Sequence, residues 1–213
     1  MQVRFNGEGD NEKVVSGVAN WGAAQWASLD STFYGCDSFN SVFYDAPNLS
    51  RAPSLRQMFR ASAFNQDISG WDVSAVSNFR IMFHTANAFN QDISGWDVSS
   101  ATRMDSMFLG ALSFNQDIGQ WNISMVRSMP NTLENTGFSQ ANFEKTIIGW
   151  ANRAVTTGVQ PDVPLGIVGQ TYSDTVHNDA YGVAAGGIKD AVTAIGTLTS
   201  APHNWTITGG TQV

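Results

Sequence analysis

The stretch FNQDISGWDVS occupies residues 64–74 and recurs unchanged at residues 89–99. An altered third copy, FNQDIGQWNIS, follows at residues 114–124, so the copies are 25 residues apart. A fixed period of about 20–50 residues is typical of solenoids, in which each unit stacks on the previous one. The repeat therefore predicts a solenoid. It also argues against an enzyme, because a residue present in every unit is more often structural than catalytic.

Apolar residues follow two different spacings within each unit. The segment 68–74 alternates in the manner of a short strand, whereas apolar residues in the segment 76–86 recur at three- and four-residue spacing, which is typical of a helix. Ser74 and Ser99 stand where a helix N-cap would lie. These patterns predict an α/β solenoid whose units consist of a short parallel strand, a corner, a short helix or helical turn, and a return loop.

The repeat extends upstream in a less regular form. Phe33 and Phe39 keep the spacing of Phe108 and Phe114, and Cys36, the only cysteine, aligns with small residues expected to face the core. A buried thiol is therefore favoured over a reactive one. The predicted organisation is an N-terminal cap at 1–32, about four repeats at 33–135 and a C-terminal capping region at 136–213.

The capping region has its own signals. An amphipathic helix is predicted after Ser139, the expected N-cap, with Trp150 on its buried face. A second helix is expected near 179–194, and a terminal strand at 205–208. Elements of this kind seal the exposed core at the end of a solenoid.

Composition excludes several classes of function. The net charge of −7 and a pI near 4.7 argue against nucleic acid as a partner, because polyanions bind basic surfaces. No apolar run approaches the roughly 18 residues that would predict membrane insertion. The first residues lack the apolar segment of a signal peptide, so either export uses another route or the chain is a fragment. Nothing in the sequence indicates the oligomeric state.

Repeated carboxylates are the main candidate for chemistry. They form exposed columns that we predict to meet a partner, with nearby hydroxyl and amide residues; the columns comprise Asp67, Asp92, Asp117, Ser69, Ser94, Asp72, Asp97 and Asn122. Stacked carboxylates repel one another unless solvent, hydrogen-bond donors or a cation stabilise them. Calcium between units is one interpretation. We favour the other, in which each Asp caps backbone amides at its own corner, and predict no cofactor and no metal site.

Other repeated residues are interpreted as structural. The column of Asn65 and its repeats is predicted to satisfy backbone groups at a turn. The column that begins at Trp71 is predicted to stack in the core, although an aromatic strip for sugars is an alternative. The three histidines share no repeat column and no metal-ligand spacing, and no nucleophile or nucleotide-binding motif occurs. The sequence therefore offers no catalytic residues.

Three motifs carry a resemblance to a known family: MFHTANAFNQDISGWDVSSATRMDSMF at 82–108, WGAAQWASLDSTFYGCDSF at 21–39, and the pieces ANFEKTIIGW and NWTITGG in the C-terminal region. The chain resembles the BspA-like leucine-rich-repeat surface proteins, in the subfamily first noticed in mycoplasma lipoproteins. The resemblance implies a right-handed, leucine-rich-repeat-like coil and a role in adhesion or recognition, with no catalytic residues. This chain departs from the pattern in its short array and in the length of the region 166–202.

The expected function is therefore non-enzymatic recognition or adhesion at a bacterial surface, with a protein or glycan as partner and an extracellular or cell-surface location. Similar proteins also occur in marine bacteriophage genomes. The alternative is therefore a virion component, such as a tail fibre or capsid decoration protein, with other virion proteins as partners. Ice binding is a weaker hypothesis because Gly119 interrupts the hydroxyl columns. A hydrolase site in the C-terminal region is weaker still.

Overall fold

The computed structural model describes residues 20–177, 180 and 187–213. Its regular elements, all in the C-terminal part of that described chain, are α1 (Gln140–Thr157), β1 (Pro164–Gly166), β2 (Thr171–Tyr172), α2 (Ala191–Thr199), β3 (Thr206–Thr208) and β4 (Thr211–Gln212). Most of the predicted N-terminal cap lies outside the described residues.

Backbone hydrogen bonds join each repeat to the next in parallel register. The amides of Phe79, Ile81 and Phe83 each donate to a carbonyl of the following unit at 2.9 Å. The intervening amides of Met82 and His84 donate to carbonyls of their own unit, three residues earlier in the chain, at 3.1 and 3.3 Å. Inter-unit bonds and turns thus alternate along the chain. We call this arrangement the turn ladder; its levels are the segments 31–35, 55–61, 79–85, 104–110 and 129–135.

The turn ladder corrects two predictions about local structure. The segment 76–86, predicted to be helical, carries the parallel pairing, whereas the segment 68–74, predicted to be a strand, consists of turns and loop. Ile81 and Thr85 have φ values of 61° and 53°, which interrupt a right-handed helix. The three- and four-residue spacing reflects successive turns. Of the predicted short helix or helical turn, the units therefore contain successive turns and no α-helix.

Two positions in each ladder level lie in the left-handed region of backbone conformation. The first column comprises Ser31, Gln57, Ile81, Ser106 and Asn131, and the second comprises Gly35, Ala61, Thr85, Gly110 and Asn135. For a residue other than glycine this conformation costs about 1–2 kcal/mol. It persists because it aims alternate amides and carbonyls at the neighbouring unit. We interpret the whole stack as a solenoid on the basis of this repeated pairing; its handedness stays a prediction.

Stacked phenylalanines fill the core beneath the ladder. Between successive units, ring centroids are 5.5 Å apart for Phe33 and Phe59, 5.6 Å for Phe59 and Phe83, and 5.7 Å for Phe83 and Phe108, with nearly parallel planes. Within a unit, each of these rings stacks on a second phenylalanine, as Phe108 does on Phe114 at 4.0 Å. Cys36 is buried beside this core, as predicted.

The C-terminal region continues the stack. Helix α1 begins at Gln140, and the Ser139 hydroxyl accepts a hydrogen bond from the amide of Asn142, as expected of an N-cap. A parallel bridge joins Met129 to Leu165 in β1, and β1 pairs in parallel with β3. The strand predicted at 205–208 corresponds to β3. The last level of the turn ladder is thus covered by paired strands.

The second predicted helix lies later than expected. Helix α2 begins at Ala191 after its N-cap Asp190, whose carboxylate accepts a hydrogen bond from the amide of Thr193 at 2.7 Å. The prediction placed this helix at 179–194; residues 179 and 181–186 lie outside the described residues. Helix α2 packs against α1.

Candidate binding surface

The predicted binding residues lie in the corner segments 67–74, 92–99 and 117–124, which precede the last three ladder levels. We call these segments the corner face. Five of the eight are exposed: Asp67, Ser69, Asp72, Asp92 and Asp97. The other three, Ser94, Asp117 and Asn122, are half-buried. Solvent therefore reaches the first and second copies of the repeat more freely than the third.

Asp67, Asp92 and Asp117, the first carboxylate column, each cap the same kind of local turn. In each case Oδ1 accepts a hydrogen bond from the backbone N–H two residues later, a local turn that short acidic side chains favour. The distances are 2.8 Å from Ser69 to Asp67, 2.9 Å from Ser94 to Asp92 and 2.9 Å from Gly119 to Asp117. This is the corner capping favoured from the sequence.

The second column repeats the arrangement five residues later. The oxygen acceptors of Asp72, Asp97 and Asn122 receive backbone N–H groups at 3.1, 3.0 and 3.2 Å, respectively. The hydroxyl of Ser74 also donates to Asp72 at 2.6 Å. Because Asn122 makes the same turn with a neutral amide oxygen, the turn itself requires an acceptor and no charge.

These hydrogen bonds favour ionised carboxylates. The pKa of Asp67 lies below its ordinary value because the backbone N–H of Ser69, followed by its side chain, stabilises the carboxylate. Side-chain hydrogen bonds from Ser74 and Ser99 are the main cause of the lowered pKa of Asp72 and Asp97. Slight burial opposes each shift. The corner face is therefore negatively charged at neutral pH.

Calcium binding stays an alternative without direct support from the geometry. In the part of the chain that the structure describes, no group of three or more His, Cys, Asp or Glu residues is placed to hold a metal ion. The corner carboxylates use one oxygen each to accept an amide of their own turn. Calcium prefers six to eight oxygen ligands, which these separate turns do not assemble.

The asparagine column is a continuous ladder, as predicted. The Oδ1 of Asn65 accepts the backbone N–H of Asn90 at 2.9 Å, and Asn90 accepts that of Asn115 at 2.9 Å. Asn115 then accepts the backbone N–H of Ser139 at 2.7 Å, so the ladder ends at the N-terminus of α1. Gln91 reinforces the ladder by donating its side-chain amide to Asn65. These hydrogen bonds join each unit to the next and therefore stabilise the stack.

The tryptophan column is buried, which favours the predicted core stacking over a sugar-binding strip. The indole N–H of Trp96 donates to the carbonyl of Ile68 at 3.0 Å, and that of Trp121 donates to the carbonyl of Ile93 at 3.0 Å. Trp150 of α1 repeats the contact by donating to the carbonyl of Ile118, in the third copy of the repeated stretch, at 3.1 Å. Helix α1 therefore completes the column that the repeats begin.

A small cavity at the corner face was missed from the sequence. It has a volume of about 240 Å³ and lies between the first two units, where Tyr44 and Asp45 face Asp67 and Trp71. Tyr44 is 78% exposed. A sequence signal did exist: the first unit has Val42-Phe43-Tyr44 where the later units have Asp-Ile-Ser or Asp-Ile-Gly.

A protein-family model described as "Mycoplasma protein of unknown function, DUF285" matches residues 27–150, which is more than half of the chain. The chain belongs to this family. No curated protein and no solved structure matches it. The DUF285 segment starts just before the first level of the turn ladder and ends at Trp150, the last member of the tryptophan column. The family segment thus covers the repeats and the part of α1 that ends at Trp150.

The turn ladder of this DUF285 chain carries charge opposite to that of the corner face. Arg56, Arg60 and Arg80 lie on ladder levels and Arg103 directly precedes one; we call these four residues the arginine face. Arg80 and Arg103 approach Asp105 at 3.9 and 3.3 Å. The guanidinium of Arg60 lies 4.9 Å from the ring centre of Tyr34. The stack is therefore acidic along its corners and partly basic along its ladder.

A buried carboxylate ties the C-terminal region to α1. Glu144 accepts hydrogen bonds from the backbone N–H of Ser173 at 2.6 Å and from the side chain of Gln140 at 2.9 Å, and it hydrogen-bonds to the ring of His177. The Ser173 hydroxyl also binds Glu144, at 2.9 Å, so the His177 ring and this hydroxyl share the carboxylate. Among the described residues the hydroxyl and the ring make no direct hydrogen bond that would mark a nucleophile and its base.

Of the helices in the described part of the DUF285 chain, none is both long and apolar enough to cross a membrane. The longest, α1, has 18 residues and is an amphipathic helix packed on the stack.

Proposed function

We propose that this chain is a non-enzymatic recognition or adhesion module of a bacterial surface protein of the BspA-like subfamily. It binds a protein or glycan partner through the corner face. The observation that carries the proposal is the exposed row of ionised carboxylates. Each is held in place by its own turn, so the row is ordered before any partner arrives.

The rest of the repeat supports this assignment by exclusion. The phenylalanine, tryptophan and asparagine columns are engaged within the stack, so this part of each unit is scaffold. What remains outside is the acidic corner face, the cavity beside Tyr44 and the arginine face. Charged rims of this kind govern association rate and partner choice more than affinity. An extracellular or cell-surface location follows from the proposed role.

The test uses the full chain, fluorescently labelled, on bacterial cells, host cells and arrays of glycans and proteins. A variant with Asp67→Asn, Asp92→Asn and Asp97→Asn keeps the turn acceptors but removes three charges. A charge-matched control carries Asp37→Asn, Asp162→Asn and Asp174→Asn, three exposed residues away from the corner segments. We expect the first variant to lose binding, with weaker salt dependence than the unaltered chain, and the control to keep it.

Equal loss in both variants would show that overall charge, and no particular face, governs binding. Absence of binding to every cell and array would contradict the adhesion role. Co-purification with phage particles, or adjacent genes for tail or capsid proteins, would replace it with the virion role.

A further inference from the structure

The cavity at the corner face joins residues that differ from the rest of the stack. Phe43, Tyr44 and Asp45 of the first unit line one side, and Asp67, Gly70 and Trp71 of the second unit line the other. Its volume of about 240 Å³ lies below the roughly 300–1,000 Å³ of pockets for drug-sized ligands. It therefore suits a single small chemical group.

The first unit supplies an aromatic side chain where later units have a small one. The amide of Asn65 donates to Asn40 at 2.9 Å, which fixes the register of the two units and places Tyr44 in the column of Ser69. Phe43, next to it, is held by ring contacts with Trp71 and Trp21 at 5.6 and 5.1 Å. Tyr44 is thus an exposed aromatic group on a packed base.

The polar groups of the cavity are rich in acceptors. The Asp45 carboxylate accepts the backbone amides of Trp21 and Gly22 at 2.6 and 2.9 Å, which holds it in place. Together with Asp67 it contributes two negative charges, and no Lys, Arg or His belongs to the lining that the structure describes. Carboxylates only accept hydrogen bonds, whereas each hydroxyl of a sugar both donates and accepts. The lining therefore suits a ligand that donates and carries positive charge.

We propose that this cavity binds a single organic ammonium group, either primary, as in a lysine side chain, or quaternary, as in a choline headgroup. The carboxylates of Asp45 and Asp67 attract the charge, and the ring of Tyr44 adds a cation–π contact. The proposal rests on the recognition role given above and names the ligand class of one end of the corner face.

The experiment titrates the full chain with n-butylammonium and with choline, observed by proton NMR and by tryptophan fluorescence. The neutral controls are 1-butanol and 3,3-dimethyl-1-butanol, which match the two cations in shape but carry no charge. We expect saturable binding of a cation, with a Kd on the order of 1 mM at low salt, and none of the alcohols. Preference for n-butylammonium indicates a lysine-type ligand, and preference for choline indicates a quaternary one.

Three variants remove different parts of the cavity. Tyr44→Ser introduces the residue that the second and third units already have in that column, and Asp67→Asn keeps the acceptor but removes the charge. Gly70→Leu fills the space, because a Cβ at Gly70 meets no atom within 4 Å. We expect each to raise the Kd roughly tenfold or more.

The controls lie away from the cavity lining. Asp162→Asn removes one exposed carboxylate outside the corner face, and Gly95→Leu adds the same side chain at an equally open position one unit away. Both should bind ammonium as the unaltered chain does. Equal affinity for the alcohols, equal loss in the controls, or no binding of either cation would overturn the proposal.

The two proposals can fail separately. Cell or array binding without ammonium binding removes the cavity assignment and leaves the recognition role. Ammonium binding with no attachment to any cell or array removes the recognition role and leaves the cavity assignment.

Discussion

At the scale of single residues, Asp and Asn in the corner segments show how a repeated side chain can be structural and still exposed. Asp97 and Asn122 occupy the same position in successive units and cap the same kind of turn. The turn fixes the side chain, and the charge is an addition that only some units have. Stability and recognition therefore depend on different atoms of the same residue.

Asp97→Ala should lower the free energy of unfolding by about 0.5–1.5 kcal/mol, because the amide of Ser99 loses its acceptor. Asp97→Asn should leave it within about 0.5 kcal/mol, since Asn122 already makes this turn. Urea unfolding of both variants measures the difference. Equal destabilisation by the two changes would mean that the charge itself supports the fold.

Acid should weaken the stack through the corner carboxylates. Folding lowers the pKa of Asp67, Asp72 and Asp97 below the ordinary value of 3.8. Their contribution is therefore present above about pH 3.8 and is lost as the pH falls through the lowered pKa. Urea titrations between pH 5 and pH 2 should show less acid sensitivity in a variant with all three Asp residues changed to Asn. An unchanged pH dependence would contradict this origin.

Glu144 is the residue whose loss should do most damage. Burial raises the pKa of its carboxyl, but hydrogen bonds from His177, Gln140 and Ser173 outweigh that effect and hold the pKa below its usual range. Without this carboxylate the buried donors that it accepts lose their partner, which costs about 1–3 kcal/mol for each unsatisfied group. Glu144→Ala should therefore unfold at much lower urea concentration, whereas Asp174→Asn, at an exposed carboxylate nearby, should not.

At the scale of elements, helix α1 explains why the third copy of the repeat is altered. Gly119 stands where the other copies have Ser69 and Ser94, and a Cβ added to Gly149 of α1 would lie 2.4 Å from the Gly119 carbonyl oxygen. A Cβ on Gly119 would lie 2.6 Å from the carbonyl oxygen of Lys145. The helix and the last corner thus pack backbone against backbone, and serine does not fit.

Gly149→Ala should destabilise the protein by about 1–3 kcal/mol, because the methyl group pushes α1 away from the last corner. Gly95→Ala adds the same group in open space and should change little. Thermal melting of the two variants, monitored by near-ultraviolet circular dichroism, compares them directly. Equal midpoints would show that α1 can shift without loss.

Some features of the fold could be predicted from the sequence, and others could not. The columns of phenylalanine, tryptophan and asparagine, and the cap at Ser139, could be predicted because each depends on a spacing or on a local hydrogen bond. The turn ladder could not, since Ile81 and Thr85 adopt a backbone conformation that their branched side chains disfavour. Only pairing with the neighbouring units stabilises it. The cavity beside Tyr44 depends on the irregular first unit, where the repeat offers no guide.

At the scale of the whole molecule, the stack is closed at its C-terminal end by paired strands that continue the turn ladder. Residues 27–150, the family segment, contain the repeats and the first part of α1, whereas the end of α1, β1 and β3 lie beyond it. The corner carboxylates of neighbouring units each accept an amide of their own turn, and we predict that the stack needs no ion to hold its units together.

Chelation should therefore leave stability unchanged. Melting of the full chain in EDTA and in millimolar calcium should give the same midpoint, because a ligand stabilises only a folded state that binds it. A rise in the midpoint with calcium, absent from the Asp67→Asn, Asp92→Asn and Asp97→Asn variant, would instead establish the inter-unit calcium site.

The turn ladder also has a mechanical consequence. Its backbone hydrogen bonds connect one unit to the next. We therefore expect tension between the two ends of the stack to pull along these bonds and to break them one level at a time. Each released unit of 25 residues would lengthen the chain by roughly 80–90 Å. A protein anchored at one end and attached to a partner at the other would then yield in equal steps under load and absorb work before the attachment itself is broken.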